Sequence, residues 1–83
     1  MPTVLRIRGY RFFFISDESR EPAHVHVESG DNYAKFWPNP VGLASSASYN
    51  AVEIRALREL VEEHRAHFLE RWNEHFRQSR SRG

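Results

Sequence analysis

Cysteine is absent from this chain of 83 residues, which excludes disulfide bonds and thiolate zinc sites and is typical of a reducing compartment. No apolar run approaches the roughly 20 residues needed to span a bilayer. The N-terminal segment MPTVLRIRGYRF is interrupted by Arg6, Arg8 and Arg11, unlike a signal peptide. These absences predict a soluble cytoplasmic protein that does not contact a membrane.

The chain does contain enough apolar sequence for one packed core. Hydrophobic residues make up 40% and aromatic residues 13%, a composition typical of a folded domain rather than a disordered chain. A chain this short supports a single core, so residues 1–83 are predicted to form one domain. The formal net charge of +1 indicates no strong preference for acidic or basic partners.

Residues 3–37 predict four strands arranged as two hairpins. Residues 3–8 alternate between apolar and charged, Gly9 allows a turn, and the apolar run YRFFFIS at 10–16 predicts an inner strand covered on both faces. The second hairpin pairs residues 24–29 with 33–37 around Ser-Gly-Asp-Asn. Gly30 suits the first central position of that turn, where φ must be positive.

The C-terminal half predicts helix after a connecting loop. Residues 38–49 contain two prolines, a glycine and three serines, which predicts a loop. A helix is expected over 50–77, with Asn50 or Ser48 as its N-cap. Arg58 and Arg65 fall close to its apolar stripe, so one long helix or two short ones, divided near His64, are both allowed. The stripe consists of Ile54, Leu57, Val61, Phe68, Trp72 and Phe76.

These segments predict an α+β fold, with a four-stranded antiparallel sheet followed by one long or two short C-terminal helices packed on one face. The basic tail at 78–83 completes the chain. The C-terminal sequence RQSRSRG carries Arg77, Arg80 and Arg82 without an acidic residue. It is either a frayed end or an electrostatic contact to nucleic acid or an acidic partner.

Alternation along the second hairpin divides its side chains between two faces. With the turn at Gly30 and Asp31, Val25 and Val27 pair with Phe36 and Ala34 on an apolar face. The opposite face, expected to be exposed to solvent, is named the histidine face. It consists of His24, His26 and Glu28, lying opposite Trp37, Lys35 and Tyr33 respectively.

The histidine face contains the residue types that catalyse RNA cleavage by its own 2′-hydroxyl. His24 and His26 are candidates for the general acid and base, and Lys35 for the phosphate contact. Tyr33 and Trp37 offer flat surfaces on which a base stacks. This combination allows a metal-independent endoribonuclease, for which no cofactor is implied. The remaining predicted substrate or partner contacts are Glu28 and Arg11.

Two alternatives remain for the histidine face. The first is an ordinary solvent-exposed sheet surface, on which His, Lys, Glu and Tyr are common. The second is a metal site, because His-x-His on a strand directs both imidazoles the same way. Its ligands would be His24, His26 and Glu28, although the neighbouring Lys35 would repel a cation.

Four sequence blocks together resemble the bacterial family known as domain of unknown function 4160. The blocks are RFFFIS, E-P-x-H-V-H-V, AKFW-x-x-PV-x-LA and FLERWNEHF, and the resemblance covers about Val4 to Phe76. The family commonly has Pro-Pro before the first histidine, where this chain has Pro22-Ala23. The characteristic positions of the family map here onto His24, His26, Lys35, Phe36, Trp37 and Trp72, of which Trp72 is assigned to packing.

The resemblance implies a small bacterial protein whose gene lies beside that of another small domain, in an arrangement similar to a toxin–antitoxin pair. We therefore expect a component of such a two-gene module that uses His24, His26 and Lys35 against RNA. The alternative is a non-catalytic module that binds a cognate small protein encoded by the neighbouring gene, through the sheet face or an exposed edge strand. A homodimer is a further expectation, since the apolar inner strand needs cover on its second face.

Overall fold

The computed structural model describes residues 3–15 and 20–81, with residues 77–81 described by their backbone alone. Within these residues an antiparallel sheet in the order β1-β2-β3-β4-β5 precedes two helices. The α+β class and the two C-terminal helices are confirmed, but the prediction of four strands is wrong. The elements are β1 (Thr3–Ile7), β2 (Tyr10–Phe13), β3 (Val25–Ser29), β4 (Asn32–Pro38), β5 (Val41–Ala47), α1 (Ala51–Glu63) and α2 (Arg65–Ser81).

The first hairpin turns at Arg8 and Gly9, which have φ values of 53° and 83°. Its second strand, β2, lies between β1 and β3, and Phe12 and Phe13 are both buried. The predicted inner strand is therefore confirmed, although it ends at Phe13 rather than at residue 16. Ser16, the predicted end, lies outside the described residues.

The second hairpin has the predicted register. His26 lies opposite Lys35, and Val25 lies opposite Phe36. The turn begins at Gly30, whose φ of 57° is the positive value for which glycine has no steric cost. Because a slip by one residue would turn every side chain to the other face, the apolar pairs on one side determine which residues share the histidine face.

The fifth strand, β5, replaces the predicted loop at 38–49. Pro38 is the last residue of β4, and Pro40 lies in the turn, where its peptide bond with Asn39 is cis. Prolines at these two positions do not interrupt the ladder, because a strand end and a turn do not require every backbone N–H. The register between β4 and β5 shifts where Phe36 pairs with Leu43 and Lys35 with Ser45, which leaves one extra residue, a β-bulge, at Ala44.

The helices divide at His64, as one of the two predicted arrangements required. Asn50 caps α1, since its side-chain oxygen accepts a hydrogen bond of 2.8 Å from the backbone N–H of Glu53. The backbone of α2 continues to Ser81, so the predicted end of the helix at 77 and the tail from 78 are too early. Residues 82–83, and the side chains of the tail arginines, lie outside the described residues. Neither helix, within this part of the chain, is long and apolar enough to cross a membrane.

The core lies between the helices and one face of the sheet. Phe12 contacts Phe68, with ring centroids 5.2 Å apart, and Phe14 contacts Trp72 at 5.4 Å. The predicted stripe is confirmed: five of its members are buried, and Ile54 packs against them half-buried. Leu60 and Tyr49 join this cluster without having been predicted. Each large apolar side chain buried here contributes about 1.5–3 kcal/mol.

Candidate functional site

The structure brings the histidine face together but does not expose its two histidines. His24 is 1% exposed and His26 is 2% exposed. The expectation that they face solvent is therefore wrong. Their rings contact Phe13 of β2 and Trp72 of α2, which lie outside the second hairpin and which strand alternation in that hairpin does not reveal. The other four members, Glu28, Tyr33, Lys35 and Trp37, are half-buried.

His26 lies between two aromatic rings from the neighbouring strands. Its ring stacks on Phe13 of β2 at a centroid distance of 5.3 Å and on Tyr33 of β4 at 5.7 Å. Its Nδ1 lies 2.5 Å from the Tyr33 hydroxyl oxygen. Phe13 was not predicted for this site. Its position in an inner strand that is apolar on both faces was the available signal, since one of those faces had to be the histidine face.

His24 connects the histidine face to helix α2. Its Nδ1 lies 2.9 Å from the carbonyl oxygen of Pro22. Because a carbonyl only accepts, Nδ1 carries the hydrogen, and a neutral His24 then has its lone pair on Nε2. The ring also contacts Trp72 of α2 at 4.9 Å and Trp37 of β4 at 5.8 Å. The assignment of Trp72 to packing is confirmed, and its packing includes a histidine.

The cations of the histidine face are already in ion pairs. Lys35 Nζ lies 2.6 Å from Glu21 Oε1, and it also lies 5.1 Å from the centroid of the Trp37 ring. Glu21 was not among the predicted site residues, since it precedes β3 in a segment whose path the sequence does not fix. Pairs exposed to this degree contribute about 0.2–1 kcal/mol, so they orient side chains more than they stabilise the fold.

Arg11 lies on the histidine face, because it pairs across the strands with Glu28. Its Nη1 is 2.6 Å from Glu28 Oε2, its Nε donates to Thr3 Oγ1 at 2.8 Å, and its guanidinium carbon lies 4.5 Å from the centroid of the Phe13 ring. Through these contacts Arg11 connects strands β1, β2 and β3 at one end of the histidine face. It balances the charge of Glu28, the third ligand in the metal alternative.

A metal site at His24, His26 and Glu28 finds no support in this geometry. Among the side chains that the structure describes, no three His, Cys, Asp or Glu residues come close enough together to hold an ion. The ion pair with Arg11 also competes for the Glu28 carboxylate.

The opposite, core face contains a polar contact of its own. The Tyr49 hydroxyl lies 2.9 Å from Ser29 Oγ, and Tyr49 is 9% exposed. Burial raises the pKa of Tyr49 above its usual value, and the hydrogen bond with Ser29 opposes this shift in part.

Comparison with protein families finds that residues 9–73 match a model described as "Domain of unknown function (DUF4160)". The matched range runs from the first turn into α2 and includes the whole histidine face together with Trp72. Searches of curated proteins and of solved structures find nothing that matches this chain.

Proposed function

The chain belongs to the family of domain of unknown function DUF4160, and from this premise we propose that it is a non-catalytic interaction module that binds a small cognate protein through the histidine face. In this proposal it is one component of a bacterial two-gene module of the toxin–antitoxin type. The observation that carries the proposal is the burial of His24 and His26, which are 1% and 2% exposed. A general acid or base must reach the proton that it transfers, and burial to this degree keeps both rings from a substrate in solution.

The buried histidines act as supports for the aromatic residues that a partner contacts. His26 holds the Tyr33 ring by stacking and by the contact between its Nδ1 and the Tyr33 hydroxyl. His24 packs edge-on against Trp37. An aromatic side chain that is held rigid before binding loses little conformational entropy in a complex, which favours affinity.

Tyr33, Lys35 and Trp37 form a row along β4, since alternate residues of a strand point the same way. At about 3.3 Å per residue, the two aromatic residues are separated by roughly 13 Å. Tyr and Trp are enriched among the residues that dominate binding energy at protein interfaces. The carboxylates of Glu21 and Glu28, whose side chains are 41% and 44% exposed, supply a polar rim to this row.

The experiment is co-purification with the protein encoded by the neighbouring gene, followed by titration calorimetry of the complex. Trp37→Ala removes one anchor and is expected to weaken binding at least tenfold. Arg55→Ala, at an exposed position of α1, is the matched control and is expected to bind like the wild type. Both variants are checked by thermal melting for an intact fold. A folded Trp37→Ala variant that binds as tightly as the wild type would contradict the proposal.

RNA cleavage is the second candidate, favoured by the cross-strand pairing of His26 with Lys35 and by the contact between His26 and the Tyr33 hydroxyl. It would require the residues over His26 to move and Glu21 to leave Lys35. The discriminating measurement is growth and total RNA integrity in bacteria that express the wild type or His26→Ala. The interaction module predicts intact RNA in both strains. Cleaved RNA with the wild type that becomes intact with His26→Ala, in a variant that thermal melting shows to be folded, would support the ribonuclease instead.

A further inference from the structure

The two edges of the sheet differ in how they are protected against pairing with another strand. Edge strands present unpaired backbone N–H and C=O groups, and natural proteins usually protect them with charged side chains, bulges or short length. On β1, Arg6 is exposed, and His67 Nε2 lies 3.3 Å from the backbone oxygen of Val4. On β5, seven residues long, no described strand pairs with the outer side.

The edge at β5 lacks the charge that usually protects such strands. Between Lys35 and Glu53 the chain contains no Asp, Glu, Lys or Arg, although charged residues make up 28% of the sequence. Ser45, Ser46 and Ala47 are exposed. Their small side chains would let another strand approach closely. The bulge at Ala44 protects one part of the edge. The exposed residues after the bulge, Ser45 to Ala47, remain open to pairing.

We propose that two copies of this chain pair antiparallel through the exposed end of β5, so that their sheets join into one. A strand without charge is complementary to itself, because no like charges meet when two copies align across a twofold axis. The net charge of +1 adds little repulsion between the copies. The backbone N–H and C=O groups at one edge satisfy those at the other.

The start of α1 adds an apolar contact near the same edge. Val52, a large hydrophobic residue that is 77% exposed, lies in the first turn of α1, and this helix packs against β5 and β4. Joining two copies at β5 brings this region of each molecule toward the other. Ser45 and Ala47 lie opposite Lys35 and Tyr33 of the histidine face, but the pairing uses the backbone groups on the outer side of β5. The dimer therefore goes beyond the proposed function and does not depend on it.

The test is sedimentation velocity of the purified chain over a concentration series. The wild type is expected to move from the 9.8 kDa monomer toward twice that mass as its concentration rises. Ser46 is the middle residue of the exposed end, so antiparallel pairing of this end places it at the twofold axis. Ser46→Lys therefore puts like charges opposite each other and is expected to weaken dimerisation at least tenfold. Asn73→Lys, which adds the same charge at an exposed position of α2, is the control and is expected to dimerise normally.

A charge exchange separates loss of pairing from loss of fold. Ser46→Glu alone is expected to be monomeric, and its mixture with Ser46→Lys is expected to recover a dimer, because opposite charges then meet across the axis. A wild type that stays monomeric at all concentrations would overturn the proposal. A dimer that Ser46→Lys leaves unchanged would also overturn it, since its interface would then lie elsewhere. The outcome of the partner titration with Trp37→Ala does not affect either result.

Discussion

Both faces of the sheet contain fully buried side chains, but different kinds of contact bury them. On the core face, Phe12 and Val27 are covered by helices that bring apolar side chains such as Phe68. On the histidine face, His26 is covered by the ring of Phe13 from its own sheet. Residues that alternate along the same strands therefore end in an apolar core on one side and in a polar, aromatic cluster on the other. Side chains of the sheet itself can therefore bury His26 on the second face without a second layer of helices.

The largest effect is expected from breaking the core face. Phe68→Ala removes a fully buried ring that packs on Phe12, and such a cavity costs about 3–5 kcal/mol. This is a large share of the roughly 5–15 kcal/mol by which small domains are stable. Urea denaturation measures the free energy of unfolding, with Arg55→Ala as the control because Arg55 is exposed on α1. If the two variants lost equal free energy of unfolding, Phe68 would not belong to the core as described.

A smaller effect is expected from breaking the histidine face. His26→Ala removes the ring between Phe13 and Tyr33 and one hydrogen-bond contact of the Tyr33 hydroxyl, which is expected to cost about 1–3 kcal/mol. His26→Asn keeps a polar atom near the position of Nδ1 and is expected to lose less. Chemical denaturation of the wild type, His26→Asn and His26→Ala measures their free energies of unfolding, which are expected to decrease in that order. A loss of less than about 0.5 kcal/mol for His26→Ala, as at an ordinary surface position, would argue against a structural role for this histidine.

The smallest effect is expected at the polar contact on the core face, and it depends on pH. Because burial raises the pKa of Tyr49 above the value of 10.0 that it has when unfolded, the folded state binds this proton more tightly. The resulting stability is fully present below about pH 10 and is lost as the pH rises toward the folded pKa. Tyr49→Phe is expected to cost about 1 kcal/mol at neutral pH and to lose less additional stability than the wild type above pH 10. If the melting temperatures of the wild type and Tyr49→Phe changed with pH in the same way, Tyr49 would not be the group responsible for the loss of stability above pH 10.

The sequence predicted the second hairpin because two independent features agreed. Gly30 indicated the turn, and the pairing of Val25 with Phe36 gave a consistent apolar face, so the register followed. It did not predict β5, because two prolines and several small residues are typical of a loop. Only the pairing with β4, and the placement of Pro38 and Pro40 at a strand end and in a turn, makes that segment a strand.

For the candidate site, the sequence determined which side chains share a face, and the tertiary structure determined whether solvent reaches them. Strand alternation is local, so it placed His24, His26 and Lys35 together correctly. Exposure depends on residues distant in the sequence, such as Trp72 beside His24. A side chain becomes buried when segments that are distant in the sequence pack against it. The sequence therefore determined which residues form the histidine face, whereas only the tertiary structure determined that its histidines are buried.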